Sequence, residues 1–136
     1  MQEDEVAVSI SISWGWRIDP GVFLAFAELA PGVRTDRLEK LLWEELAKVA
    51  AKGVSLAEVR RAQALLRSSV LHELATHHGV AHALGQAEAL LGDWREGGRA
   101  LEHYAAIGPR DVRRVAAEYL DPARRCVVVL EPEVRR

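Results

Sequence analysis

Residues 6–32 read VAVSISISWGWRIDPGVFLAFAELAPG, a pattern that predicts a β-hairpin. Apolar residues alternate with small or polar ones over residues 6–18, which is the period of a strand with one apolar face and one small, polar face. Residues 19–21, Asp-Pro-Gly, predict a turn, because proline presets φ and glycine tolerates a positive φ. A second strand is predicted over residues 22–30 and is ended by Pro31-Gly32.

Helical signals follow the hairpin over residues 35–120. Gly53 suits the left-handed position that ends a first helix. Ser55 and Glu58 form a capping box that opens a second helix. Pro109 suits the first position of the last helix, where its missing N–H costs nothing.

Two glycine positions and the end of the chain complete the predicted organisation. Gly79 predicts a break or bend, and Gly97-Gly98 predict a loop. Residues 125–130 are apolar and β-branched and stop at Glu131-Pro132, so they predict one closing strand. The fold class predicted is therefore α+β: an antiparallel sheet, with a long N-terminal hairpin and one C-terminal strand, packed against several helices.

Composition excludes several classes of protein. The 136 residues are 49% hydrophobic and 28% charged with a formal net charge of -2, which is typical of a globular chain and gives no basic surface for nucleic acid or acidic lipid. No apolar run approaches the roughly 18 residues that span a membrane, and the acidic residues 1–5 are unlike a signal peptide. The single cysteine, Cys126, rules out an intrachain disulfide and is expected to pack as a small buried hydrophobe. The localisation is left open.

Six short motifs, spread over nearly the whole chain, occur in the order and spacing of a known protein family. They are residues 7–32 with the DPG turn and terminal PG, GVSLAE at 53–58, Gly92-Asp93, IGPRDV at 107–112, YLDP at 119–122, and residues 127–132. With them the chain resembles the zinc metallopeptidases of the insulinase, pitrilysin and mitochondrial processing peptidase family. The match is to the later, metal-free part of one family domain. The resemblance thus implies that residues 1–136 are a single domain and a fragment of a longer peptidase domain.

The resemblance also implies where the chemistry lies. The family's catalytic signature is H-x-x-E-H with a further glutamate downstream: two histidines and that glutamate hold zinc, and the glutamate inside the motif activates water. This chain contains no H-x-x-E-H. We therefore expect no catalytic residue, no metal ligand and no cofactor in this chain, and we expect zinc in a partner half if the parent protein is active.

Substrate-holding residues of the family are also replaced. In the metal-free halves of active members, an R-E-x-x-x-x-Y motif precedes the first strand, and its arginine and tyrosine help to hold substrate near the zinc. Aligned on the strand, Gln2 falls at the arginine position and Val8 at the tyrosine position. Gln2 has no guanidinium and Val8 has no hydroxyl. No substrate-binding residue is predicted, which argues against peptidase activity of the immediate parent unless a separate active partner supplies the chemistry.

The histidines allow a second kind of site to be considered. His72 and His77 stand in HELATH, where the second histidine comes one residue too late for H-E-x-x-H and leaves the shared helix face. His78 and His82 have the i, i+4 spacing, so adventitious zinc or nickel binding is an alternative to a polar helix end. His103 has no predicted partner.

Three functional hypotheses remain open from the sequence. The first is a non-catalytic carboxyl-terminal segment of an insulinase-type zinc peptidase or an inactive homologue, which forms a wall of the peptide chamber. Its partners would be a zinc-bearing homologous half or a second copy, and peptide substrate through the parent, with neither nucleic acid nor a membrane span involved. The second is an independent α+β interaction module. The third is a small metal-binding protein that uses its histidines.

Overall fold

The computed structural model describes residues 6–15 and 17–130 and has the predicted α+β class. Within these residues the hairpin comes first and five α-helices follow. The elements are β1 (Ala7–Ser13), β2 (Leu24–Leu29), α1 (Thr35–Lys52), α2 (Leu56–Leu74), α3 (His77–Leu91), α4 (Glu96–Ala106), α5 (Pro109–Tyr119) and a 3₁₀ turn at Pro122–Arg124. In the described part of the chain no helix is long and apolar enough to cross a membrane.

The two strands pair antiparallel but are shorter than predicted. Their ladder ends at the Ser13–Leu24 pair, and a bulge interrupts it between Ala7 and Ser9. The predicted strands reached to residues 18 and 22. Gly15, Pro20 and Gly21 fall in the missing part, and glycine and proline both weaken strand pairing, so the ladder stops before them.

The predicted closing strand is wrong for the described residues. Residues 125–130 pair with neither strand, and the sheet of the described part has two strands, β1 and β2. Arg125, at the start of this segment, contacts α1. Its Nε lies 2.7 Å from Glu39 Oε1, and its guanidinium lies 5.9 Å from the centre of the Trp43 ring. Beyond it, Val128 and Leu130 are more than four-fifths exposed. An apolar, β-branched segment forms a strand only where a neighbouring strand offers free N–H and C=O groups.

Helices α1 and α5 pack together at the carboxyl end of α1. Gly53 ends α1 as predicted and has a positive φ of 75°, but its ψ of -164° lies outside the predicted left-handed helical conformation. Its N–H donates to Val49 O at 2.8 Å. The Arg113 side chain of α5 lies 3.4 Å from where a Cβ at Gly53 would stand, an ordinary van der Waals distance, so α5 passes close to the end of α1. At the start of α5, the Gly108 N–H donates to the Asp111 carboxylate at 2.9 Å, and Pro109 occupies the first helical position as predicted.

Helices α2, α3 and α4 form the other packed group. The Ser55–Glu58 capping box opens α2 as predicted: Glu58 N–H donates to Ser55 Oγ, and Ser55 N–H donates to the Glu58 carboxylate at 2.7 Å. The break between α2 and α3 lies at Ala75 and Thr76, not at Gly79. Thr76 caps α3, because its hydroxyl accepts from the N–H of Gly79 at 3.0 Å.

The predicted loop at Gly97-Gly98 is also wrong, because both glycines lie inside α4. A Cβ on Gly97 would come within 2.6 Å of Ala83 O in α3, so only glycine fits at this point of contact between α3 and α4. The apolar residues that the described part buries are small or medium in size: Val59 in α2, Ala87 in α3 and Ala116 in α5. Large apolar side chains therefore remain on the surface.

The side chain of Gln63 holds α2 against the end of α4. Its amide Nε2 lies 3.0 Å from Tyr104 O, 3.3 Å from Ala105 O and 3.0 Å from Ile107 O. The last carbonyls of a helix have no partner within the helix, so this amide satisfies groups that would otherwise depend on water.

Replacing Gln63 by leucine is expected to lower the free energy of unfolding by about 1–2 kcal/mol, because the helix-end carbonyls lose their donor. The Gln63→Glu variant keeps the shape of the side chain but places a carboxylate against carbonyl oxygens. It should be less stable than Gln63→Leu at pH 7 and regain stability as the pH falls and the carboxyl becomes protonated. Urea unfolding at pH 4.5 and pH 7 measures both effects. Equal stability of Gln63→Glu and the unmodified chain at pH 7 would contradict this role.

Candidate functional site

The pairing register sorts the hairpin side chains onto two faces. One face carries large residues on β1 and small ones on β2. We call it the isoleucine face: Ile10, Ile12, Ala25 and Ala27. The opposite face carries small residues on β1 and mostly large ones on β2. We call it the serine face: Ser9, Ser11, Ser13, Leu24, Phe26 and Glu28.

Both faces expose large apolar side chains. Ile10 and Ile12 are each 52% exposed, and Leu24 and Phe26 are 57% and 60% exposed. The sequence pattern correctly predicted the two faces of β1, but it did not reveal that Leu24 and Phe26 lie beside the serines. That placement depends on the pairing register, which a shift of one residue would reverse. Apolar residues on both faces are typical of a sheet that is covered on both sides.

The helices leave this hairpin largely uncovered. The extensive contacts of each strand are with the other strand, and those of the helices are among themselves. The chain exposes 11584 Å² in total, whereas a compact monomer of 15.1 kDa exposes roughly 7,100 Å². The helices contribute to this excess through apolar residues that are two-fifths to two-thirds exposed: Leu41, Leu56, Leu65, Leu66, Leu71, Leu91, Trp94, Val115 and Tyr119.

The five histidines lie in three different helices, α2, α3 and α4. His72 lies in the last turn of α2, whereas His77 begins α3 after the break, so the two do not share a helix face. His82 Nδ1 lies 3.4 Å from Glu73 Oε1, and the rings of His78 and His82 stack at 6.3 Å between centroids. Among the residues that the structure describes, no three histidine, cysteine or acidic side chains converge closely enough to hold a metal ion.

His103 has a partner that the sequence did not indicate. Its Nε2 lies 2.9 Å from Glu96 Oε2, and Arg99 Nη1 donates to Glu96 Oε1 at 2.8 Å. The hydrogen bonds from His103 and Arg99 hold the pKa of Glu96 below its usual value. All three residues belong to α4 and are at the surface of the protein. These contacts link three side chains along one helix.

Two further sequence predictions concern single residues. Cys126 is exposed, so the prediction that it packs as a buried hydrophobe is wrong. The cause lies in the unpaired segment around it, which leaves the side chain without a neighbouring layer. Of the two positions aligned with the family's substrate-holding residues, Gln2 lies outside the described residues. Val8 lies in β1 with 63% of its surface exposed, and its side chain offers no hydrogen-bonding group.

Comparison with known proteins finds relatives among solved structures. A proposed zinc protease from Bordetella pertussis Tohama I superposes with a TM-score of 0.74 and 27% identity over 88% of this chain. The inactive peptidase domain of a proposed zinc protease from Bordetella parapertussis superposes with a TM-score of 0.80 and 26% identity over 96% of this chain. This chain spans 66% of the first protein and 71% of the second.

No family model matches the chain. No curated protein matches it either. The likeness to the two solved structures establishes a zinc protease-like relationship, which includes a peptidase domain described as inactive.

Proposed function

We propose that this chain is the non-catalytic carboxyl-terminal part of an insulinase-type zinc metallopeptidase domain, or of an inactive homologue. Residues 1–136 act as one structural unit within a longer peptidase domain. The unit forms a wall of the peptide chamber and pairs with a zinc-bearing half. Its contribution to catalysis is to shape and close the chamber, and the zinc and the water-activating glutamate belong to the partner.

The observation that carries the proposal is the apolar surface on both sides of the hairpin. Burying a large apolar side chain stabilises a protein by about 1.5–3 kcal/mol relative to leaving it in water. Phe26 and Leu24 on one face, and the isoleucines on the other, forgo most of that stabilisation in this chain alone. A monomer that functions by itself rarely exposes so large an apolar area.

The serine face has the composition of a partner surface. Leu24 and Phe26 are adjacent apolar residues along β2, with serine hydroxyls beside them on β1 and the Glu28 carboxylate next along β2. Protein–protein interfaces commonly combine such apolar anchors with a polar rim. We assign this face, together with the exposed helical side chains, to contact with the zinc-bearing half.

The likeness to solved structures supports the same proposal. Each of the two Bordetella proteins contains polypeptide that this chain does not match, about a third of one and somewhat less of the other. Unmatched polypeptide of that size is sufficient to supply further layers over a hairpin. One of the two is described as an inactive peptidase domain, which fits a role without catalysis.

Zinc content and peptide cleavage test the proposal. We expect this chain alone to be free of stoichiometric zinc and inert toward a quenched peptide library. In complex with its zinc-bearing half, one zinc per complex and cleavage are expected if the parent is active. Changing the glutamate inside H-x-x-E-H of the partner to glutamine should abolish cleavage and leave the zinc bound, because that glutamate activates water and does not hold the metal. Tight zinc or cleavage by this chain alone would overturn the proposal and redirect attention to the histidines of α2 and α3.

A further inference from the structure

Residues 126–130, Cys-Val-Val-Val-Leu, have the side-chain pattern of a strand, and we call them the valine segment. Val127 and Val129 are just under half exposed, whereas Val128 and Leu130 are more than four-fifths exposed. An exposure that alternates with a period of two is typical of an extended chain that rests one side on the rest of the protein. Within the described residues, the N–H and C=O groups of this segment form no backbone hydrogen bond. Its backbone is therefore free to pair.

Arg125 fixes the point at which the valine segment leaves the helices. Its Nε lies 2.7 Å from Glu39 Oε1, and its guanidinium lies 5.9 Å from the centre of the Trp43 ring. Its Nη1 also donates to Pro122 O at 3.1 Å. The segment thus starts beside α1, the helix that directly follows β2. A chain whose start is already held loses less conformational freedom when it pairs.

The composition of the valine segment calls for a particular kind of cover. Three consecutive valines without a charged neighbour in the segment have a high β propensity, and the unpaired edge of such a run is a template for aggregation. A helix packed over the segment would cover its side chains but leave its N–H and C=O groups unpaired, and buried backbone groups are nearly always paired. Another β-strand satisfies the side chains and the backbone together.

We propose that the valine segment is a strand of the longer peptidase domain and pairs with a β-strand from the polypeptide that completes that domain. The inference rests on the proposed function, because the pairing strand belongs to the longer domain. That strand corresponds to part of the polypeptide that both Bordetella structures contain and this chain does not match. A second copy of this chain is a poorer partner, because two valine segments alone would form a two-stranded ribbon, which is marginally stable in water.

Amide hydrogen exchange of this chain alone and of the longer peptidase domain tests the inference. In the chain alone, the amides of the valine segment should exchange within about tenfold of the rates of an unfolded chain. In the longer domain, those that donate to the new strand should exchange at least about a hundredfold more slowly. Slower exchange in the hairpin but not in the valine segment would overturn the inference and leave the proposed function standing. Slower exchange in neither would overturn both.

Proline variants test the pairing through the backbone. Val128→Pro and Val129→Pro each remove one N–H, and neighbouring N–H groups of a strand point to opposite edges. In the chain alone neither N–H has a backbone partner, so both variants should keep the unfolding temperature within about 2 °C. In the longer domain, at least one proline variant should unfold at least about 5 °C below its alanine control, Val128→Ala or Val129→Ala, which keeps the N–H. Proline and alanine variants that unfold at equal temperatures at both positions would overturn the inference.

Discussion

The Gly79→Ala variant is expected to lose about 3 kcal/mol of stability, a large effect for one methyl group. A Cβ at this position would lie 1.9 Å from the carbonyl oxygen of Glu73 and 2.7 Å from its carbonyl carbon. Both atoms belong to the backbone of α2, so the contact is relieved only if the first turn of α3 moves. Such overpacking costs about 1–3 kcal/mol and occasionally more. Thermal or urea unfolding followed by circular dichroism measures the loss.

Gly85 offers a matched control in the same helix. It lies in the interior of α3, and a Cβ there would meet no atom within 4 Å. Gly85→Ala should therefore raise the free energy of unfolding by about 0.5–1 kcal/mol, because alanine loses less backbone entropy than glycine in a helix. Opposite signs for two identical substitutions in one helix are the expected result. Equal effects would contradict the close approach of α2 and α3.

We also expect a large rise in the stability of this chain when the zinc-bearing half is present. A partner that binds the folded chain and not the unfolded one adds stability by mass action, about 4 kcal/mol when its concentration is a thousand times the dissociation constant. For a chain of this size, that corresponds to a rise of roughly 10–15 °C in the unfolding temperature. The rise depends on the surface that the partner covers, which we assign to the serine face and the exposed helical side chains.

Phe26→Lys is the variant that tests the assignment of the partner to the serine face. It should reduce the thermal shift caused by the zinc-bearing half, because Phe26 is the largest side chain of the serine face. Ile12→Lys, on the isoleucine face, should leave the shift nearly unchanged. Differential scanning fluorimetry with increasing amounts of the partner measures both. A shift that neither variant changes would contradict the role of the hairpin in contacting the partner.

Local chemistry made part of the fold predictable from the sequence. The Ser55–Glu58 capping box, Pro109 at the first position of α5, and Gly53 after α1 each depend on neighbours within a few residues, and all three were predicted correctly. Gly79 and Gly97 were not, because isolated glycines in a sequence resemble breaks. Their role becomes visible only when the backbone of another helix is found within 3 Å of where a Cβ would stand.

Only one of the two strands of the hairpin surface was predicted correctly from the sequence. The alternation of β1 indicated an isoleucine side and a serine side, and both exist. The position of Phe26 and Leu24 beside the serines required the pairing register, because the sequence does not specify how two strands align across an irregular connection. The strand predicted at residues 125–130 did not form, since a strand requires a neighbour that residues 6–15 and 17–130 do not provide.

Amide hydrogen exchange in the hairpin is the most direct test of whether this chain is a covered part of a larger peptidase. The exchange rates of the amides in β1 and β2 should be compared in the chain alone and in complex with the zinc-bearing half. We predict that the complex slows them by at least about a hundredfold, because covering the serine face suppresses the local openings that allow exchange. Unchanged rates in a complex that has formed would contradict the account, since the apolar hairpin would then remain exposed in the assembled protein.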